Sequence, residues 1–269
     1  MKRIVTYTFM LLVLLISSTH KLAAQFGTNT SLEQIDSMLS TMSDEQKMFM
    51  IKMAIQNLDD EKKQQVEEAL NYITKKEVET FQYNIKNKDI VFIPIAHISQ
   101  KEFYEDLKNK VAKYKKEGYV VYYEQIIKDT TLTVAQQKIQ EIKLKKAMGG
   151  ILPSRNTYGI VSKLFKNSIP QPQYNELGIT STDINADIKL DDLLNAIEKD
   201  NGEITVFECD YDEIPSPNCP KYDLEDKFKY ILDFRNEHVV KTIKNSKDKK
   251  IVIIYGAKHK DGIINLLNS

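Results

Sequence analysis

Ile90-Val91-Phe92-Ile93-Pro94-Ile95-Ala96-His97 and Ile251-Val252-Ile253-Ile254-Tyr255-Gly256-Ala257-Lys258-His259 decide the fold. Each opens on a short apolar run rich in β-branched residues, too short for a helix and without polar alternation. A strand of that kind is buried on both faces, the habit of a parallel sheet covered by helices. Residues 119–123 repeat the pattern as Tyr-Val-Val-Tyr-Tyr and run into Glu124. Working outward, residues 81–85 alternate as a strand and 86–89 read as a turn. Ser99 and Glu102 have capping-box spacing for a helix with Phe103, Leu107, Val111 and Tyr114 on one face. Further helices are expected over about 134–147, around 190–197 and from about 224 to 243, with another strand at 204–207 and a short closing helix. Strands alternating with helices predict an α/β fold, with a mainly parallel or mixed central sheet flanked by helices. Residues 151–183 contain Pro153, Pro170 and Pro172 and no clear period, so they read as one long irregular stretch of the kind that often carries function.

The N-terminal part reads differently. Lys2 and Arg3 precede an apolar segment from Ile4, with an unbroken apolar run at 10–16 and small residues at Ala23 and Ala24. These are the three parts of a secretory signal peptide. The apolar run is short for a bilayer span and no second one follows, so no stable membrane span is expected after cleavage. The expected organisation is a signal peptide over 1–24, a helical preface over 25–76 and an α/β domain over 77–269. In the preface Leu32, Ile35, Met38, Leu39 and Met42 recur at helical spacing. Ser43 or Asp44 caps a second helix carrying Phe49, Met53 and Ile55, and a third carries Val66, Leu70 and Ile73. The methionines at 38, 42, 48, 50 and 53 read as core packing rather than as a binding groove or metal stripe.

The whole chain has 38 basic and 38 acidic residues. Loss of residues 1–24 removes Lys2, Arg3 and Lys21, which leaves the mature chain with an excess of three negative charges. Its lysines are interleaved with Glu and Asp at helical spacing. Such a chain lacks the concentrated positive field that nucleic-acid binding needs. Cys209 and Cys219 lie in one Pro-rich loop region, where they form either a small-loop disulfide or two free thiols. No phosphate loop, nucleophile elbow, HExxH or EF-hand pattern occurs.

His97 and His259 each follow an expected strand, and Glu124 ends another. In open α/β sheets, ligands bind outside the carboxyl ends of the strands. These three groups therefore make a candidate site, because imidazoles and a carboxylate suit proton transfer or metal ligation. Arg235 falls on or beside the apolar stripe of its helix, where a charge either has a partner such as Glu124 or Asp187, or a bound anion, or snorkels its guanidinium to solvent. His238, near the same stripe, reads as a satisfied core histidine.

The residues Ile93-Pro94-Ile95-Ala96-His97, Phe103-Tyr104, Glu124, Asn185-Ala186-Asp187, Arg235-Asn236 and Gly256-Ala257-Lys258-His259 with Gly262 follow one another in an order that resembles the TraB/PrgY/GumN-like family. The resemblance spans about residues 78–267 and departs from the family at Pro94, where a Gly-x-x-His turn is expected. It implies an α/β fold related to the TIKI and erythromycin-esterase-like proteins. It further implies a divalent-metal-dependent hydrolase (Mn, Co or Zn) that cleaves peptide bonds. His97, Glu124 and His259 would then be metal ligands or acid–base groups, and Arg235 an oxyanion or carboxylate partner. The competing expectation is a non-catalytic envelope protein that sequesters a peptide or small ligand in the same crevice. Both readings place the protein in the periplasm or outside the cell.

Overall fold

The computed structural model of the chain describes residues 31–56, 58–150, 154–224 and 226–269. The expected signal peptide lies outside the described residues. Three helices come first: α1 (Leu32–Thr41), α2 (Asp44–Gln56) and α3 (Asp60–Thr74). Ser31 and Gln34 close a reciprocal capping box on α1, and Ser43 with Gln46 does the same for α2. α2 does not present the face that its sequence implies. Ile51 is buried, whereas Phe49 is 66 % exposed and Met48 and Met53 also lie outward. Met38, Met42 and Met50 pack as expected.

The sheet is built from β1 (Phe81–Ile85), β2 (Lys88–Ile95), β4 (Val120–Tyr123), β6 (Ile184–Asn185) and β7 (Lys250–Gly256). Its order is β1-β2-β7-β4-β6, with only the β1–β2 hairpin antiparallel. The two runs that predict the fold therefore lie side by side, Ile90 opposite Ile251 and Ile93 opposite Ile254. Successive side chains alternate between two cores. Val91, Ile93, Ile95, Val252 and Ile254 face α4 (Lys101–Lys116) through Phe103, Leu107 and Val111. Phe92, Tyr122, Ile251, Ile253 and Tyr255 face α8 (Arg235–Asn245) and α9 (Lys260–Asn268) through Val239, Ile243 and Ile263. Burial on both faces is why these strands carry no polar alternation. Pro94 sits past Phe92, the last residue of β2 that β1 pairs, where a missing N–H has only one neighbouring strand to disturb.

Three expectations are corrected. Ser99 does not cap α4: it belongs to β3 (Ile98–Gln100), which pairs with β5 (Ser168–Pro170). Its hydroxyl instead donates to the carbonyls of Tyr72 and Lys75 at the end of α3. The spacing is that of a cap, but the partner is the helical preface. Residues 204–207 form no strand. The Ile204 N–H donates to the Glu198 carboxylate at 3.0 Å and the Phe207 N–H to Asp210 at 2.8 Å, so side chains replace a ladder. The stretch 151–183 is not wholly irregular. It holds α6 (Arg155–Ser162), capped by Ser154, as well as β5, and β6 follows directly after it.

The remaining helices, α5 (Val134–Ala147) and α7 (Leu190–Asn201), pack beyond β6 with Leu224 and Tyr230. Cys209 and Cys219 are joined by a disulfide, so of the two states that the sequence left open the structure has the closed loop. Lys146, on the last turn of α5, reaches under this loop to Asp210 at 2.6 Å with both side chains buried.

Candidate functional site

His97, Glu124 and His259 follow the C-terminal ends of β2, β4 and β7, three adjacent strands. Parallel pairing puts those ends at one edge of the sheet, where strand-end loops converge. All three residues line a single cavity of about 790 Å3, and Arg235 lines it too. Every candidate residue from the sequence thus reaches one cleft.

Arg235 is buried and meets both carboxylates that its position implies. Its Nε donates to Asp187 Oδ1 at 2.9 Å, and Nη2 to Asp187 Oδ2 at 2.5 Å and to Glu124 Oε1 at 2.6 Å. The second Glu124 oxygen accepts the Gly256 N–H at 2.5 Å. A Cβ at Gly256 would stand 3.1 Å from that same oxygen, so the glycine admits the carboxylate to the backbone of β7. The chain just before Arg235, Lys229–Phe234, winds as a π-helix. Such a turn changes the phase of the residues that follow it, and it is common near functional sites. Here it precedes Arg235, which lines the cleft, and Asn236, which reaches His259 from behind.

Burial pushes the Glu124 carboxyl upward, but Arg235, His259, His97 and the Gly256 N–H more than offset it and hold it at about 2. Glu124 is therefore an anion throughout the working pH range. His259 shifts for the opposite reason. Burial dominates, and although Glu124 favours the charged form, the imidazole is held down at about 4 and stays neutral at pH 7. Its Nδ1 lies 2.7 Å from Asn236 Oδ1 and its Nε2 3.6 Å from Glu124 Oε1. The ring sits edge-on to Tyr255 at 4.9 Å between centroids.

His97 is only half-buried. It stacks on Tyr158 of α6 at 4.9 Å, and its Nδ1 lies 3.1 Å from Gln171 Oε1. Tyr174 donates to the Glu124 carbonyl. Burial holds the phenols of Tyr158 and Tyr174 well above their ordinary range, so both remain protonated donors. α3 also borders the cleft, with Ala69 and Tyr72 lining it and Glu68 pairing with Lys258 at 3.1 Å.

Tyr158, Tyr174 and Gln171 are site residues that the sequence reading does not single out, whereas Asn236 and Lys258 enter it as members of the Arg235-Asn236 and Gly256-Ala257-Lys258-His259 motifs, without a role of their own. For Asn236 a signal is present, since it adjoins the inward Arg235. Tyr158 and Gln171 fall in the stretch read as irregular, where no period indicates a direction. His238 lies half-buried on α8 and is not among the residues lining the cleft. Compared with known proteins, the chain matches no family model, no curated protein and no solved structure.

Proposed function

We propose that the cleft is the active site of an exported hydrolase of peptide or similar amide bonds, in which His259 is the general base. One observation carries this reading: a neutral imidazole on the cleft floor, with one nitrogen held by Asn236 and the other 3.6 Å from an ionised carboxylate. That separation is too long for a direct hydrogen bond. A water donating one hydrogen to His259 Nε2 and the other to Glu124 Oε1 fits it, and presents its oxygen lone pairs to a substrate carbonyl. As the oxygen adds to carbon, Nε2 takes the proton. It then returns the proton to the leaving amine as the C–N bond breaks, giving an acid and an amine. Arg235 Nη1, whose own contact is a long 3.4 Å bond to the Ile231 carbonyl, is the donor placed to meet the developing oxyanion. The apolar wall and a cavity of about 790 Å3 suit a short peptide better than a folded protein.

The residues that would hold a divalent ion are His97, Glu124 and His259. As placed, the set does not fit one. Both Glu124 oxygens are engaged, and the Arg235 guanidinium already supplies the positive charge beside them. The water is therefore activated by His259 and Glu124 alone. Export is supported by the Cys209–Cys219 disulfide, which persists in oxidising compartments; a mature N-terminus at Gln25 is its direct check.

The test is hydrolysis of a short-peptide library by the mature chain, with EDTA and then with Mn, Co or Zn added. Turnover that survives EDTA and disappears in His259→Ala is the expected result. Turnover that requires a metal and is lost equally in His97→Ala replaces this mechanism with a metal-dependent one. Tight retention of a ligand without turnover replaces the hydrolase with a binding protein.

A further inference from the structure

Asn236 is buried, with 3 % of its surface exposed, and sits on α8 facing α9. Its Oδ1 lies 2.7 Å from His259 Nδ1. An amide oxygen is an acceptor only, so a ring nitrogen at that distance must carry the proton. The lone pair of the neutral ring is then on Nε2, toward the cleft and Glu124. The alternative tautomer has the weaker anchor, because Nε2 is 3.6 Å from Glu124 Oε1, beyond direct hydrogen-bond distance, whereas Nδ1 is 2.7 Å from Asn236 Oδ1. The amide in turn fits only because of α9. A Cβ built on Gly262 would stand 2.3 Å from Asn236 Nδ2, closer than real atoms approach, and a tight 3.2 Å from its Cγ. Gly262 is helical, so no unusual backbone angle calls for glycine there, and room for the amide is the reason that remains.

We propose that Asn236 is a positioning residue that selects the Nδ1–H tautomer of His259, and that Gly262 is glycine so that the Asn236 amide can reach the ring. The catalytic consequence rests on His259 being the base, but the tautomer itself does not. In the Nδ1–H form Nε2 can accept a proton from water; in the Nε2–H form it cannot. Asn236 touches no substrate and acts through His259 alone.

The test uses the full mature chain labelled with 15N-histidine, with the His259 ring signals identified by their loss in His259→Ala. At a fixed pH of about 7.5 the wild-type His259 ring shows a protonated Nδ1 and a bare Nε2. Asn236→Ala and Gly262→Ala move it toward a mixture of tautomers, and Asn236→Asp, which keeps an acceptor, retains the wild-type pattern. In peptide hydrolysis, both Ala variants lower kcat by about tenfold or more with KM within about twofold. An Nε2–H ring in the wild type overturns the proposal, as does an unchanged tautomer in Asn236→Ala. Should Gly262→Ala not fold, the wild-type and Asn236→Ala spectra still decide. If the tautomer behaves as expected while His259→Ala retains hydrolysis, the positioning role stands and the base assignment falls.

Discussion

His97 and His259 end adjacent strands of one sheet after near-identical apolar runs, yet the fold gives them different surroundings. His259 lies at the floor, 4 % exposed, with Asn236, Glu124 and Arg235 fixing its charge and its lone pair. His97 is half-buried, stacked on Tyr158 and tied to Gln171, both from the segment between α5 and β6. One histidine belongs to the rigid core and the other to the wall above it. The position of a residue at a strand end decides that it reaches the cleft; the elements packed against it decide what it can do there.

The largest effect should come from cutting the floor itself. Arg235→Met strands Glu124 and Asp187 as buried charges, and a broken buried pair costs about 3–5 kcal/mol. Urea unfolding is expected to show that loss, and a loss under about 1 kcal/mol would mean that water reaches the triad. Catalysis should separate the two histidines next. His259→Ala is expected to lower kcat by about 100- to 10,000-fold, the range for a lost general base. His97→Ala should cost about tenfold and act partly through KM. Equal losses at both positions would erase the distinction between floor and wall.

Acid should find the floor first. The unfolded imidazole of His259 takes up a proton near pH 6.5, whereas the folded one does so only near 4. Between those values the unfolded state binds more protons, so stability falls as the pH drops through the window. Glu124 adds a second fall, from about 4.5 down to about 2, because the paired carboxylate must be protonated. At neutral pH the first contribution is on the order of 2–3 kcal/mol. In urea midpoints measured from pH 7 to 4, His259→Gln should remove the first fall. The smallest effect belongs to the wall. Gln171→Ala frees one ring nitrogen of His97 at a part-buried site, and a KM rise of a few-fold with stability changed by about 1 kcal/mol is expected.

The two halves of the site also differ in how readable they were. His97, His259 and Glu124 are legible as polar groups at the ends of apolar runs, and Arg235 as a charge on or beside an apolar stripe, with Glu124 and Asp187 as examples of a partner. The rest of the wall carries no such contrast. Tyr158 and Gln171 sit in a segment whose short helix and three-residue strand are below the length at which periodicity speaks. Ser99 shows the opposite failure, a correct motif spacing diverted to the end of α3 by tertiary contact. Phe49 and Met53 carry the apolar pattern of a buried face, but α2 turns Ile51 inward instead.

By itself the sequence determined the α/β class and the sheet-end location of the candidate residues, because both follow from local periodicity and the direction in which parallel strands run. It also marked Arg235 as a charge on or beside an apolar stripe, which a partner carboxylate, a bound anion or a reach to solvent would explain. Only the tertiary structure decided the rest. Which carboxylate oxygen Arg235 takes, which nitrogen of His259 is bare, and why Gly262 must lack a side chain depend on contacts between α8, α9 and three strands. Those contacts join residues more than twenty and up to about 130 positions apart, separations over which no local pattern carries information.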